Sequence, residues 1–514
     1  MKLSELIGTC PILDVTGDCS LDITKICYDS RICEAGCLFV AVSGLTADGH
    51  DFINQAVSKG AVAVVHEREI SLPSGITAVR VVDARRVLGT LGRNFYRDPS
   101  SELCLIGVSG TKGKTTITYL LESIFQAAGF STGVLGTVNY RFGEKVMPAP
   151  NTTPESIEMQ KILRQMADEG VNHIIAEVSS HAVDLRRVDD CAFDLGLFTN
   201  LAQDHLDYHL TMENYYQAKK RFFTEVIPEG GKGRSPQMII NADDPWGKRL
   251  ISEVGKAGVL TYGIDNPSDV KAEKYTIAVH GLHAELTSPR GRMAVASKLI
   301  GKFNLYNILA AVAAALALHI EPETIKDGIG KLKSVPGRLE KVDAGIETEP
   351  VVFVDYAHTE DALRKVLENL TDFKKARIIT VFGCGGDRDR GKRPLMGAAV
   401  AALSDIAIVT SDNPRTEDPL TIIAAIEEGI SETVMTKVSP DDLTADRLKS
   451  YAVIPDRKKA IEKAVAIADP SDIVLIAGKG HEDYQIIGRQ RLPFDDRLIA
   501  AKALARHYGR VMPP

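Results

Sequence analysis

The chain has no basic block and little net charge. Its 61 Lys and Arg against 68 Asp and Glu leave −7 over 514 residues. That balance argues against nucleic acid as the main partner. It still allows an anionic small molecule held by a few local arginines. None of the eight cysteines forms a C-x-x-C pair. Cys27, Cys33 and Cys37 lie close together, but their spacing is no metal-ligand signature, and reduced cytosolic thiols are the better reading. The opening residues, MKLSELIGTCPILDV, lack a long apolar core and a cleavage site, so no signal peptide is expected. The most apolar helical stretch, residues 308–318, is alanine-rich and too short to span a bilayer. A cytoplasmic protein without membrane attachment is the expectation. What remains is ordinary globular material, 44% hydrophobic and 25% charged, of a length that suits about three domains.

The strongest local signal spans residues 103–129. An apolar run, LCLIGV, reads as a buried strand. The turn Ser109-Gly110-Thr111-Lys112-Gly113-Lys114-Thr115-Thr116 follows, and apolar residues at helical spacing (Ile117, Leu120, Leu121, Ile124) run on to Gly129. Strand, glycine loop and helix make a phosphate-binding arrangement. Backbone N–H groups approach the phosphates, the helix N-terminus favours anions, Lys114 neutralises charge and the Thr115 hydroxyl suits Mg²⁺. Val108 stands where the strict pattern wants glycine, so this is a shortened G-x-x-G-K-T-T variant. ATP or GTP binding is expected.

The alternation of strands and helices predicts an α/β chain of three domains. Residues 1–98 read as a small α/β unit with polar clusters at Asp29-Ser30-Arg31 and at 43–49. Residues 99–335 read as a central P-loop sheet. Glu177, His205 and Asp243 fall at the C-terminal ends of its expected strands, where ligands sit in such sheets. Glu177 and His205 suit Mg²⁺ or Mn²⁺ beside phosphates. Residues 336–514 read as a Rossmann-like parallel sheet. Four successive strand ends there carry polar clusters: 355–358, 383–388, 411–415 and 478–482. Together these predict one mouth.

In order along the chain, these motifs resemble the Mur ligases. They are Gly110–Thr116, Asn151–Pro154, Glu177–His181, Thr199–His205, Tyr215-x-x-Ala218-Lys219, Asn241-x-Asp243-Asp244, Gly301-x-Phe303-Asn304-x-x-Asn307, Pro336-Gly337-Arg338-x-Glu340 and Asp355-Tyr356-Ala357-His358. Asp29-Ser30-Arg31, the run 383–394 (GCGGDRDRGKRP) and Asp412-Asn413-Pro414-Arg415 point to the branch that uses 2,6-diaminopimelate. The resemblance implies an ATP- and Mg²⁺-dependent, peptide-bond-forming ligase of peptidoglycan precursor synthesis. It would add meso-diaminopimelate to UDP-N-acetylmuramoyl-L-alanyl-D-glutamate through an acyl phosphate, and a monomer is expected.

The resemblance also assigns roles by position. Gly110, Thr111, Lys112, Gly113, Lys114, Thr115, Thr116, Asn304, Asn307, Arg338, Asp355 and His358 match ATP positions. Thr115, Glu177, His205 and Lys219 match metal positions, the lysine as the carbamate that this family carries there. Ser30, Leu45, Thr46 and Ala47 match the uridine side; Asn151, Thr152, Thr153, Ser179 and Arg187 match the muramoyl peptide. Arg388, Asp412, Asn413, Pro414, Arg415, Gly478 and Glu482 match the amino-acid pocket, where Arg415 would grip the distal carboxylate that lysine lacks. Leu185 departs from a frequent glutamine, and Lys112 from a frequent asparagine. Two other readings share parts of the pattern. A folylpolyglutamate synthase–like ligase would share the last two domains but lack the first-domain cues and D-N-P-R. A GTP-dependent switch would carry N-K-x-D, which Asn241-Ala242-Asp243-Asp244 is not.

Overall fold

The structure is a computed structural model that describes residues 1–44, 47–230, 232, 237–345, 350–372 and 374–509. It divides into two compact units. One holds Met1–Lys274, Glu285–Val295 and Tyr306–Lys331; the other holds Tyr275–Ala284, Ala296–Leu305 and Leu332–Pro514.

The first unit begins with a five-stranded sheet in the order Ile12–Thr16, Thr77–Val81, Ala61–His66, Cys37–Val40, Lys25–Cys27. All its neighbours run parallel except the first pair. The helix Ala84–Phe95 starts at Asp83, whose carboxylate accepts the Arg86 N–H, and buries Val87, Leu88 and Leu91 against Leu38, Val40 and Val79. The apolar spacing of residues 52–59 predicts a helix, and the structure has it at Ile53–Ser58, between Phe52 and Lys59 as its caps. A 3₁₀ turn, Gly49–Phe52, leads into it, because the Asp48 carboxylate accepts the His50 N–H and tightens the entry.

The same unit holds a parallel core with neighbours in the order Val259–Gly263, Gln237–Asn241, Leu195–Phe198, Cys104–Ser109, His173–Val178, Thr132–Leu135. The P-loop strand lies in the middle. Register sets Ser109 beside Val178 on one side and Phe198 on the other, so three strand ends are level. The helix Lys114–Ala127 buries Ile117, Leu120, Leu121, Ile124 and Phe125, each contributing about 1.5–3 kcal/mol. Gly107 lacks a Cβ because Phe222 and Phe193 fill its face, a Cβ there falling 2.4 and 2.9 Å from their rings. The helix Met212–Arg221 passes into a π-helical turn, Phe222–Val226.

The second unit carries a seven-stranded sheet. Four adjacent parallel strands are its centre, in the order Val351–Asp355, Ile473–Ala477, Ile378–Phe382, Ile406–Val409. The four polar clusters expected to share one mouth therefore follow four neighbouring strands. Helices Glu360–Thr371, Lys392–Leu403 and Pro419–Ser431 cover one face, and Arg457–Ile467 and Asp496–Tyr508 the other. No helix among the described residues is long and apolar enough to cross a membrane.

Candidate functional site

Gly110 and Gly113 hold φ of 136° and 93°, values that disfavour any side chain. A Cβ on Gly110 would also fall 1.9 Å from Thr199 Oγ1, and one on Gly113 2.4 Å from Asn307 Oδ1. The loop is thus a bare cradle of backbone, pinned by Thr111 N–H to the Asn200 carbonyl at 2.9 Å and by Lys112 N–H to Asn200 Oδ1 at 3.0 Å. Lys112 is half-buried; Thr115 and Thr116 are buried in the first helical turn.

Two lysines meet one carbonyl. Lys114 Nζ and Lys219 Nζ each donate to the Gly110 oxygen at 2.9 Å, and Lys114 also to that of Thr111 at 3.1 Å. In the run YYQAKKRFF, Lys219 and Lys220 look alike. The fold separates them: Lys219 is 1% exposed, whereas Lys220 pairs with Glu253 at 2.9 Å. Burial, then the Lys114 charge, drive the Lys219 amine well below its ordinary range, with Asp204 opposing.

Glu177 is 1% exposed and accepts the Thr137 N–H at 3.0 Å and its hydroxyl at 2.9 Å. No ion pair to it is found among the described residues. A buried carboxylate without a cation is costly, and this donor set of carboxylate and hydroxyl oxygens fits a hard divalent ion. His205 holds φ 53° at the start of the short helix Leu206–His209; its ring lies 4.9 Å from that of His181. Burial lowers both imidazoles, that of His181 to about 4. Asp243 shares the strand-end position but is committed elsewhere. It accepts from the N–H groups of Ile264, Asp265 and Asn266 at 2.6–2.9 Å and so ties down a loop.

Thr153, Ser179 and Arg187 come together. Thr153 Oγ1 donates to the Glu177 carbonyl at 2.7 Å and accepts the Ser179 N–H at 3.2 Å, and Arg187 Nη1 donates to the Thr153 carbonyl at 3.1 Å. Thr152 joins Thr137 through their hydroxyls at 3.1 Å, and the Asn151 carbonyl accepts from Tyr140. Leu185 caps the short helix Ser180–Asp184, its N–H donating to the His181 carbonyl. Ser30 is buried and donates to Gln55 Oε1 at 2.6 Å. The Ala47 carbonyl accepts from Gly44, while Leu45 and Thr46 lie outside the described residues. Asn307 belongs to this unit; Asn304, Arg338, Asp355 and His358 belong to the other.

In the second unit, Asp355 accepts from Leu339 N–H at 2.6 Å and Ala357 N–H at 2.8 Å. The Arg338 guanidinium lies 5.1 Å over the Tyr356 ring. His358 Nδ1 is 2.7 Å from the Tyr356 carbonyl. Asn413 donates to Glu482 Oε2 at 2.8 Å and accepts the Ile486 N–H at 2.9 Å. Pro414 is buried beside it. Arg415 holds φ 52°, and its Nη1 reaches the Gly386 carbonyl at 2.7 Å. Arg388 stays exposed, bonded to the Asp387 carbonyl. A Cβ on Gly478 would fall 2.3 Å from Asp412 Oδ2.

Two residues here escape a reading of motifs. Lys479, 0% exposed, donates to Asn413 Oδ1 and Glu482 Oε2, both at 3.1 Å. Arg457 donates to both oxygens of Asp496, at 2.9 and 2.6 Å, and to the Ala477 carbonyl at 3.0 Å. The place of Lys479 inside G-K-G-H-E, the polar cluster 478–482 at a strand end, was the available signal for the first. For the second there was none, since its partner lies 39 residues away.

Comparison with known proteins bears on the family and the fold. Residues 22–96 match the Mur ligase family, catalytic domain; 108–315 the Mur ligase middle domain; and 337–480 the Mur ligase, glutamate ligase domain. The chain is 46% identical to the UDP-N-acetylmuramoyl-L-alanyl-D-glutamate–2,6-diaminopimelate ligase of Geobacter metallireducens, over 98% of each chain. It is 44% identical to the protein of that name from Geobacillus thermodenitrificans, over 98% of this chain and 99% of the other. A solved structure of a ligase so named superposes with a TM-score of 0.70 at 31% identity, covering 98% and 99% of the two chains. The folylpolyglutamate synthase of Mycobacterium tuberculosis, solved with ADP and AMPPCP, shares the fold at a TM-score of 0.60 and 19% identity, over 82% of this chain and 95% of that one. The chain belongs to the Mur ligase family.

Proposed function

We propose that this chain is the ligase that joins an amine of meso-diaminopimelate to the γ-carboxylate of the D-glutamate in UDP-N-acetylmuramoyl-L-alanyl-D-glutamate, at the expense of ATP. Residues 1–98 take the uridine end, 99–335 ATP and the muramoyl peptide, and 336–514 the amino acid. The γ-phosphoryl group passes to the carboxylate oxygen, giving ADP and an acyl phosphate. The amine nitrogen then attacks the acyl carbon, the C–O bond to phosphate breaks, and a proton leaves the nitrogen.

The observation that carries this reading is the paired lysines on the Gly110 carbonyl, 2.9 Å from each Nζ. Two anions, carboxylate and γ-phosphate, must meet, and Lys114 with the helix N-terminus offsets their repulsion. Thr115, Glu177, His205 and Lys219 would hold Mg²⁺, which supplies further charge neutralisation when bound. An ammonium cannot ligate a cation. Lys219 is buried beside Lys114, which favours its neutral amine, the form that adds CO₂ to become an oxygen-donor carbamate. Thr153, Ser179 and Arg187 position the peptide. In the second unit, Arg415 pairs with the distal carboxylate of the amino acid and Glu482 with its ammonium. Lysine in that pocket would leave the guanidinium fork without its carboxylate, a loss of several kcal/mol, on the order of 10³-fold in selectivity.

Phosphate release with ATP, Mg²⁺ and the nucleotide sugar, comparing meso-diaminopimelate with L-lysine, tests both parts. Turnover that needs the sugar and diaminopimelate is expected. Turnover on lysine would overturn the role of Arg415; turnover on neither would overturn the reaction.

A further inference from the structure

Cys27, Cys33 and Cys37 lie outside the sites above. Their spacing signals nothing, but the fold collects them. Cys27 ends the strand Lys25–Cys27, Cys37 opens the strand Cys37–Val40, and the two strands pair in parallel. Cys33 follows the turn Ser30–Ile32 between them. The three Sγ atoms lie within 4.8 Å of one another. The residues are 0%, 8% and 0% exposed, walled by Phe39, Ala41, Ile53, Ala56 and Val64. Cys27 Sγ is 3.7 Å from the Ile32 carbonyl, and Cys33 Sγ 3.7 Å from that of Asp29. Two cations border the same turn: Lys25 Nζ donates to the Ile32 carbonyl at 3.0 Å and Lys59 Nζ to that of Arg31 at 2.8 Å.

We propose that Cys27, Cys33 and Cys37 form a three-thiolate binding site for monovalent copper. Thiolates are soft donors and select soft ions, whereas Mg²⁺ and Ca²⁺ demand oxygen. Structural zinc takes four ligands, and among the described residues no fourth His, Cys, Asp or Glu atom joins the group. Three donors in a dry apolar pocket suit a three-coordinate cuprous ion. On binding, three S–H bonds break, three Cu–S bonds form and three protons leave to solvent; no electron moves. The complex carries two negative charges; Lys59 and Lys25, the latter shared with Glu34 at 3.3 Å, are the cations on that turn. The ion would clamp both ends of the turn that carries Ser30. Its effect on nucleotide-sugar binding rests on the role proposed for Ser30; the binding of copper does not.

The test is anaerobic titration of the reduced full-length protein with Cu(I) against bicinchoninate, a chromophoric chelator, with X-ray absorption at the copper edge. One ion per chain with three sulfur neighbours is expected. Cys33→Ser, at the least buried of the three, should lower affinity by about 10²-fold or more. The Cys27→Ser/Cys37→Ser pair should abolish uptake, with thermal melts checking that each variant is folded. If the pair fails to fold, Cys33→Ser decides. No uptake in competition with the chelator, equal uptake by Cys33→Ser, a two-sulfur shell, or preference for zinc with a nitrogen or oxygen fourth ligand would each overturn the site. Copper uptake without any change in KM for the nucleotide sugar would count against the role of Ser30 and leave the site standing.

Discussion

Asp496→Asn should unfold the second unit at markedly lower temperature. Arg457 and Asp496 are both 0% exposed and meet through two parallel hydrogen bonds. Burial alone would lower the Arg457 guanidinium; the Asp496 carboxylate outweighs that and holds it above its ordinary range. The substitution keeps volume and one acceptor but removes the charge. The nearest remaining carboxylate, Asp412, lies 4.0 Å from Nη1. Removing one partner of a buried pair costs about 3–5 kcal/mol. At about 2–4 °C per kcal/mol for a unit of this size, the melting temperature should fall by about 6–20 °C. Circular dichroism or calorimetry at neutral pH reads the shift. The double variant Arg457→Met/Asp496→Leu separates charge from packing, because replacing both partners by apolar groups is often neutral. It should recover most of the lost stability. A fall of under about 2 °C in Asp496→Asn, or no recovery in the double variant, would refute the reasoning.

Lys219→Ala should abolish turnover and regain part of it with added short carboxylic acids, which replace the carbamate oxygens; full activity without them would contradict the role. Arg415→Ala should raise KM for diaminopimelate on the order of 10³-fold while leaving KM for ATP within about twofold, as read by phosphate release. Asp243 titrates at about 2 against an ordinary 3.8: partial burial pushes it up, but hydrogen bonds from Asp265, Ile264 and Asn266 outweigh that. A carboxyl depressed on folding stabilises above its unfolded value and loses that contribution as pH falls through the folded one. Urea unfolding should therefore show a gap between the wild type and Asp243→Asn that is constant above pH 4 and closes between pH 4 and 2; a gap unchanged down to pH 2 would contradict it.

The P-loop unit was legible because phosphate chemistry requires particular residues at particular places: glycine at 110 and 113, lysine at 114, an apolar strand before and an amphipathic helix after. The four strand-end clusters of the second unit were legible for the same reason, since parallel order brings successive ends together. Three strands, Val270–Ala278, Gly281–Ser288 and Gly291–Ser297, carry no such chemistry, and period-two burial marks them, as at Val270 and Ala272, at Leu282, Ala284 and Leu286, and at Met293, Val295 and Ser297. Arg457 opens the helix Arg457–Ile467 as one of three consecutive basic residues and reads as solvated. Its burial depends on Asp496, a long-range pairing that no local pattern encodes. The cysteine trio is similar, because only the parallel pairing of two short strands gathers it.

Lys219 shows most plainly why sequence and structure inform different steps. Y-x-x-A-K marks the position through resemblance, but nothing in YYQAKKRFF distinguishes its two lysines by charge. The helix Met212–Arg221 turns one inward and leaves the other to Glu253. Once inward, the amine shares the Gly110 carbonyl with Lys114, and two ammonium ions on one oxygen in a buried place repel strongly. Losing a proton relieves that repulsion, and gaining a carboxylate would reverse it, turning Lys114 from a competitor into a counter-ion. The same packing that makes a charged lysine costly at 219 therefore favours its conversion into a metal ligand.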